Sequence, residues 1–179
     1  GIDIVDVRHE QTAAFAAEGR AKVTRTPGVC ALTAGPGVTN GMSAITGAYE
    51  NESPMLVLGG RAPAHRWGQG PLQELDHVPF MQPVTRLAET AAPSDAIPDT
   101  IDRAFAAAAG PPGGPAFVDL PMDYAFMDGA VSTAPLELFG PRTQAAADGA
   151  LIDRAAALLA GAERPVIMAG TGLYWGRAE

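Results

Sequence analysis

Apolar residues fall into short, strand-length runs separated by stretches with helical spacing. "IDIVDV" alternates apolar and acidic positions and predicts a strand, followed by a helix from about Gln11 to Thr24. "GVCALT" predicts a second strand, with a helix from about Thr39 to Glu50 after it. "PMLVLGG" predicts a third strand and leads into a long irregular stretch, "RAPAHRWGQGPLQELDHVPFMQP". A short run, "TRLAET", precedes the clearest helix, in which Ile101, Ala104, Phe105 and Ala108 recur at i, i+3, i+4 and i+7. Pro98 lies near its start and Gly110 just past its end. "PAFVDLP" then reads as another buried strand. Strands alternating with helices in this way predict an α/β fold, a mainly parallel sheet with helices on both faces.

The pattern breaks after residue 126. From 127 to 147 the chain is rich in Ala, Pro, Gly, Ser and Thr with little periodicity, which reads as a linker. Leu151, Ile152, Ala155, Leu158 and Leu159 then mark one apolar helical face, closed by Gly161, and "RPVIMAGTG" reads as a strand entering a glycine turn. One helix–strand unit cannot bury its own apolar surface, so 148–179 is expected to open a second α/β domain after a first domain spanning 1–126. The chain starts on "GIDIVDV" without Met and stops at Glu179 soon after a glycine turn. Both ends are therefore expected to continue into something larger.

Composition narrows the function. With 47% hydrophobic and 18% charged residues, the 179-residue chain is a folded globular sequence. The formal net charge of -8 and twelve basic residues spread singly, all Arg except Lys22, argue against nucleic acid. Cys30 is the single cysteine, so disulfides within the chain are excluded and a reducing cytoplasm is expected. No apolar stretch approaches the roughly 18 residues of a membrane span, so no membrane association is expected.

Familiar catalytic motifs are absent: there is no G-x-x-x-x-G-K-[ST], no G-x-S-x-G and no Cys/His cluster with metal spacing. His9, His65 and His77 are far apart and read as surface or hydrogen-bonded histidines. Gly35 and Gly37 in "LTAGPGVTNG" stand at a strand-to-helix turn, where backbone N–H groups face a ligand or where two glycines and a proline simply make a tight corner. Gly170 and Gly172 near the end carry the same two readings. Glu10 stands where the first strand pattern stops and the first helix pattern begins. It is either a first-turn acid stabilised by the helix dipole, or a half-buried carboxylate at the strand end where open α/β sheets bind ligands. In the second case burial raises its pKa and suits it to share a proton with a heterocycle nitrogen.

"RHEQTAAFAAEGRAK", "GVCALTAGPGVTNGMSAITGAYENESPMLVLGG", "LQELDHV" and "GPAFVDLPMD" resemble, in order and spacing, the acetolactate synthase-like, thiamine diphosphate-dependent enzymes. The resemblance covers Gly1 to about Asp123, and the tail looks like the start of that family's central domain. It implies the thiamine diphosphate-binding fold, with 1–126 as the N-terminal pyrimidine-binding domain lacking its first strand and glycine loop. It also implies that the glutamate of "RHE", matched by Glu10, hydrogen-bonds a pyrimidine nitrogen and favours the imino tautomer, which then removes the thiazolium proton. Gln73 matches the family's "FQE" glutamine facing the reacting centre, with Leu72 in place of Phe. Pro36, Gly37 and Asn40 match the "SGPGATN" turn beside the cofactor ring, with Ala34 in place of its serine, and Gly19-Arg20 departs from the common "GYAR".

The resemblance implies a carboligase that decarboxylates pyruvate and condenses it with a second 2-oxo acid in branched-chain amino acid biosynthesis. Thiamine diphosphate is the implied cofactor, with Mg2+ bound by a C-terminal diphosphate domain outside this chain and FAD by the central domain. None of the residues present is a metal ligand. The implied assembly is a homodimer or homotetramer with the site between subunits, and apolar surface around "GMSAITGAY" and "LQELDHVPFM" is therefore expected to be exposed in the single chain. Two other readings stay open: a 2-hydroxyacyl-CoA or oxalyl-CoA lyase or decarboxylase on the same skeleton, and a non-catalytic binding module.

Overall fold

The computed structural model describes residues 2–130 and 147–178. The chain divides into two compact units, Gly1–Leu138 and Phe139–Glu179. Most of the expected linker, 131–146, lies outside the described residues.

In the first unit, helix α1 (Glu10–Thr24) begins where His9 takes an extended conformation and its Nδ1 accepts the Gln11 N–H at 3.1 Å. It ends on Arg25 in the left-handed region, φ 54°. Strand β1 (Gly28–Leu32) and helix α2 (Pro36–Glu50) follow. This helix starts three residues earlier than its apolar spacing indicates, because Pro36 takes the first helical position, where its missing N–H costs nothing. Then come β2 (Met55–Arg61), the short α3 (Val78–Met81), β3 (Leu87–Thr90), α4 (Ile97–Ala109), β4 (Pro115–Pro121) and α5 (Met122–Phe126). The strands run in the order β1-β2-β4-β3 and every pairing is parallel.

Two apolar layers flank this sheet. On one side Ala14 and Ala17 of α1, and Val38, Ala44, Ile45 and Ala48 of α2, pack on Cys30, Leu32, Met55, Val57 and Phe117. On the other, Ala104 and Ala108 of α4 cover Leu56, Ala116 and Val118. Strict alternation along β2 and β4 sends successive residues to opposite layers, so both strands are apolar on both sides. Burial of each large side chain, such as Phe117, Ile45 or Leu56, contributes about 1.5–3 kcal/mol. Gly28 lets α1 approach β1 closely, since a Cβ there would run into the Ala17 carbonyl.

Three expectations are corrected. "IDIVDV" is not a strand: Ile4 is 88% exposed, and β1 is the sheet edge on that side among the described residues. "GMSAITGAY" is largely inside the unit, with Gly41, Ala44, Ile45 and Ala48 buried in α2; the exposed apolar groups of the second segment are Leu72 and Phe80. In the second unit, α6 (Gly149–Ala160) is capped by Asp148, whose carboxylate accepts the Ala150 N–H at 2.9 Å, and α7 (Thr171–Gly176) follows. "RPVIM" between them forms no strand, and Met168 is 94% exposed. The apolar face of α6 is also exposed, at Leu151, Ile152, Leu158 and Leu159.

Candidate functional site

The first turns of α1 and α2 meet at the C-terminal end of β1. There the Asn40 Nδ2 amide donates to Glu10 Oε2 at 3.2 Å. The other carboxylate oxygen, Oε1, lies 3.4 Å from where a Cβ on Gly37 would sit, and that same Cβ would collide with the Thr33 side chain. Residue 37 must therefore be glycine for α2 to pass this close to Thr33 at the end of β1. Three of the residues singled out from the sequence, Glu10, Gly37 and Asn40, are brought together.

Glu10 is half-buried, as its position at the junction indicates, but its pKa moves opposite to expectation. Its own backbone N–H and then the Asn40 amide stabilise the ionised form and hold the carboxyl below its ordinary value, outweighing a weaker effect of burial in the other direction. At Glu10 hydrogen bonding therefore outweighs desolvation.

Pro36 and Gly35 set the corner. Gly35 adopts φ 61° and ψ −116°, a conformation that L side chains rarely adopt. Gln73 packs directly on it: a Cβ on Gly35 would lie 3.1 Å from both the Gln73 Cβ and its carbonyl oxygen. Gln73 is itself left-handed, φ 62°, an uncommon conformation for a residue with a side chain. Gln73 also lines a cavity of about 520 Å³ with Thr33, Ala34, Gly60, Arg61 and Phe126, at the C-terminal ends of β1, β2 and β4. Glu10 does not line that cavity. The 35–37 turn thus has Glu10 and Asn40 at one end and Gln73 at the other.

Sequence reasoning missed a buried polar chain behind this turn. The Gly35 N–H donates to His77 Nε2 at 2.9 Å, which fixes the proton on Nδ1, and Nδ1–H donates to Asp119 Oδ1 at 2.9 Å. Asp119 Oδ2 in turn accepts from Arg61 at 2.6 Å, and the Arg61 guanidinium lies 3.7 Å over the Trp67 ring. His77 and Asp119 are wholly buried. A lone carboxylate inside the otherwise apolar "PAFVDLP" is the signal that called for such a partner. His9 and His65 are hydrogen-bonded as well, His65 to Asp123 at 3.1 Å. Cys30 is no nucleophile, since burial pushes its thiol up to about 12. Among the described residues no group of three or more His, Cys, Asp or Glu is placed to hold a metal ion. No helix among them is long and apolar enough to cross a membrane.

Residues 1–80 match the family of the thiamine pyrophosphate enzyme, N-terminal TPP binding domain. Over 179 residues, all of this chain and 33% of the relative, the sequence is 57% identical to the acetolactate synthase large subunit IlvG of Mycobacterium tuberculosis. It is 41% identical over 123 residues to 2-hydroxyacyl-CoA lyase 2 of Danio rerio, covering 69% of this chain and 20% of that one. Benzoylformate decarboxylase from Polynucleobacter necessarius shares the fold, with a TM-score of 0.84 at 22% identity over 96% of this chain and 32% of that structure. The chain spans about a third of the length of the acetolactate synthases it matches. On these matches and the parallel sheet beneath them, the chain belongs to the acetolactate synthase-like, thiamine diphosphate-dependent enzyme family.

Proposed function

We propose that the full-length protein is a thiamine diphosphate-dependent carboligase of the acetolactate synthase kind, acting on pyruvate and a second 2-oxo acid. Glu10 and Gln73 carry the chemistry of this chain, and Pro36, Gly37 and Asn40 shape the cofactor site around Glu10. The observation that supports this reading is the Glu10–Asn40 pair beside Gly37, a half-buried carboxylate with one oxygen fixed by an amide at the C-terminal end of β1. That donor set fits the edge of an aminopyrimidine, which needs a carboxylate facing a ring nitrogen. When bound, the cofactor supplies an acidic thiazolium carbon that becomes the nucleophile.

Glu10 holds or returns a proton at its carboxylate, and Asn40 keeps that carboxylate turned toward the 35–37 corner. The lowered pKa favours the ionised form of Glu10 in this chain, the form that accepts a hydrogen bond. Gln73, exposed at the rim of the cavity, is placed to donate or accept a hydrogen bond to a substrate oxygen. In this reading magnesium is held by a diphosphate domain of the whole protein and FAD by its central domain. A homo-oligomer with the site between subunits and a cytoplasmic location belong to the same reading. The three-part division, 1–126, 127–147 and 148–179, is likewise part of the proposal, with the last stretch opening the central domain.

The test is acetolactate formation from pyruvate by the full-length protein, wild type and Glu10→Gln, with cofactor and magnesium added. Wild type is expected to form acetolactate. Glu10→Gln is expected to lose roughly a hundredfold to ten-thousandfold in rate, the range of general acid–base catalysis, with an unchanged melting temperature. Equal rates would leave Glu10 as a helix-end charge only. Cleavage of a 2-hydroxyacyl-CoA without acetolactate formation would move the protein to the lyase branch, a reading its similarity to those lyases over 69% of the chain keeps in view.

A further inference from the structure

A fully buried Asp–His pair is costly unless each polar atom is satisfied, and here each is used in one direction. Arg61 and Nδ1–H of His77 supply the two oxygens of Asp119, so the Asp119 charge is matched by the Arg61 guanidinium. With its proton thus committed to Nδ1, His77 offers Nε2 as an acceptor, and the N–H it receives is that of Gly35, the residue in the unusual conformation. Hydrogen bonds on both nitrogens orient the ring, and Phe117 stands edge-on to it with centroids 6.2 Å apart. Among the described residues, none of the hydrogen bonds or ion pairs of Arg61, Asp119 and His77 goes to Glu10. The polar chain ends on the backbone that separates Glu10 from Gln73.

We propose that His77, held in one tautomer by Asp119 and Arg61, is a positioning residue that pins the 35–37 turn and so sets the distance between Glu10 and Gln73. The proposal rests on the reading of Glu10 and Gln73 given above. Its physical content is that the peptide N–H of a glycine corner has a built acceptor in the core, so the corner is held in place when a ring is pressed against it. Asp119→Asn is the informative disturbance. An asparagine can present its NH2 group to Nδ1, which moves the imidazole proton to Nε2 and turns the acceptor for Gly35 into a second donor.

The experiment uses the full-length protein and two readouts: the dissociation constant for thiamine diphosphate with magnesium, and the exchange of the thiazolium proton into heavy water. His77→Leu and Asp119→Asn are expected to weaken cofactor binding and to slow exchange about 10- to 100-fold, the cost of misplacing a reacting group by about an ångström. His77→Gln, which keeps an acceptor near the Nε2 position, is expected to recover most of both. Wild-type values in His77→Leu or Asp119→Asn would overturn the proposal. So would equal losses in His77→Leu and His77→Gln, which would make the histidine a filler of core volume. Should His77→Leu fail to fold, the comparison of Asp119→Asn with His77→Gln decides in the same way. Glu10→Gln run alongside separates the two readings. If its exchange matches wild type, the role given to Glu10 fails, and the cofactor affinities of the His77 and Asp119 variants still decide whether the turn is pinned.

Discussion

Asp123, just past β4, receives the N–H groups of Ala64 and His65 at 2.9 and 3.3 Å and the His65 ring at 3.1 Å, so one carboxylate ties the end of the sheet to the turn after β2. Burial pushes its pKa up, but hydrogen bonds from Ala64, the His65 ring and the backbone of His65 and Tyr124 outweigh it and bring the group from 3.8 to about 2. A carboxyl whose folded pKa is depressed adds stability that is complete above its unfolded value and is lost as pH falls through the folded one. This contribution is present at neutral pH and disappears between about pH 4 and 2. Screening by solvent holds it to about 1 kcal/mol, the size of a helix cap. Asp123→Asn in the full-length protein should lower the urea midpoint at pH 7 and flatten the fall in stability between pH 4 and 2. A wild-type slope there would mean that Asp123 anchors nothing. At this scale the sequence was legible where a residue stood at a local boundary. Glu10 drew notice at a strand-to-helix junction, and Gly35 and Gly37 at a corner. It was mute where partners are distant: His77 finds Asp119 across 42 residues and Arg61 finds it across 58.

At the level of elements, periodicity located β1, β2, β4 and α4 because each is buried by neighbours that the chain itself supplies. The same periodicity misled for "IDIVDV" and "RPVIM", which have strand-like residues but no strand beside them among the described residues. Pattern encodes a willingness to pair, and pairing needs a second edge. One contact that no pattern announces joins α1 to the end of α2. Glu18 Oε1 accepts from Asn51 at 2.9 Å and from Ser53 at 3.1 Å and pairs with Lys22 at 2.7 Å. Burial raises the Glu18 pKa, and the Lys22, Asn51 and Ser53 bonds together overcome it and leave it lowered. The Ser53 hydroxyl is fully buried, so Glu18→Ala strands it without that acceptor and should cost about 1–3 kcal/mol. Glu18→Gln keeps an acceptor and should cost less. Denaturant unfolding of the three forms would show this order, and equal midpoints for Glu18→Ala and wild type would remove the anchor from the account.

Across the whole molecule, the described residues of the first unit gather Glu10, Gly37, Asn40 and Gln73 around one corner. The basic residues are scattered, the formal net charge is -8, and the described residues hold no metal-binding cluster. Charge-assisted bonds to phosphate are among the strong contacts a protein makes, and the proposed function assigns those bonds to a diphosphate domain of the full-length protein. This sets a measurable contrast. In the full-length protein, magnesium should tighten thiamine diphosphate binding by at least about tenfold, which corresponds to about 1.4 kcal/mol. A polypeptide limited to residues 1–179 should bind the cofactor weakly, through ring contacts at Glu10, Gly37 and Asn40, and magnesium should leave that affinity unchanged. It should also turn over no pyruvate. Thiamine, which lacks the diphosphate, should bind this polypeptide about as well as thiamine diphosphate does, because both present the same pyrimidine. Titration of both ligands with and without magnesium measures all of this. A magnesium-dependent gain in the 1–179 polypeptide would mean that its acidic residues hold the metal after all, and the proposed division of the site would be wrong.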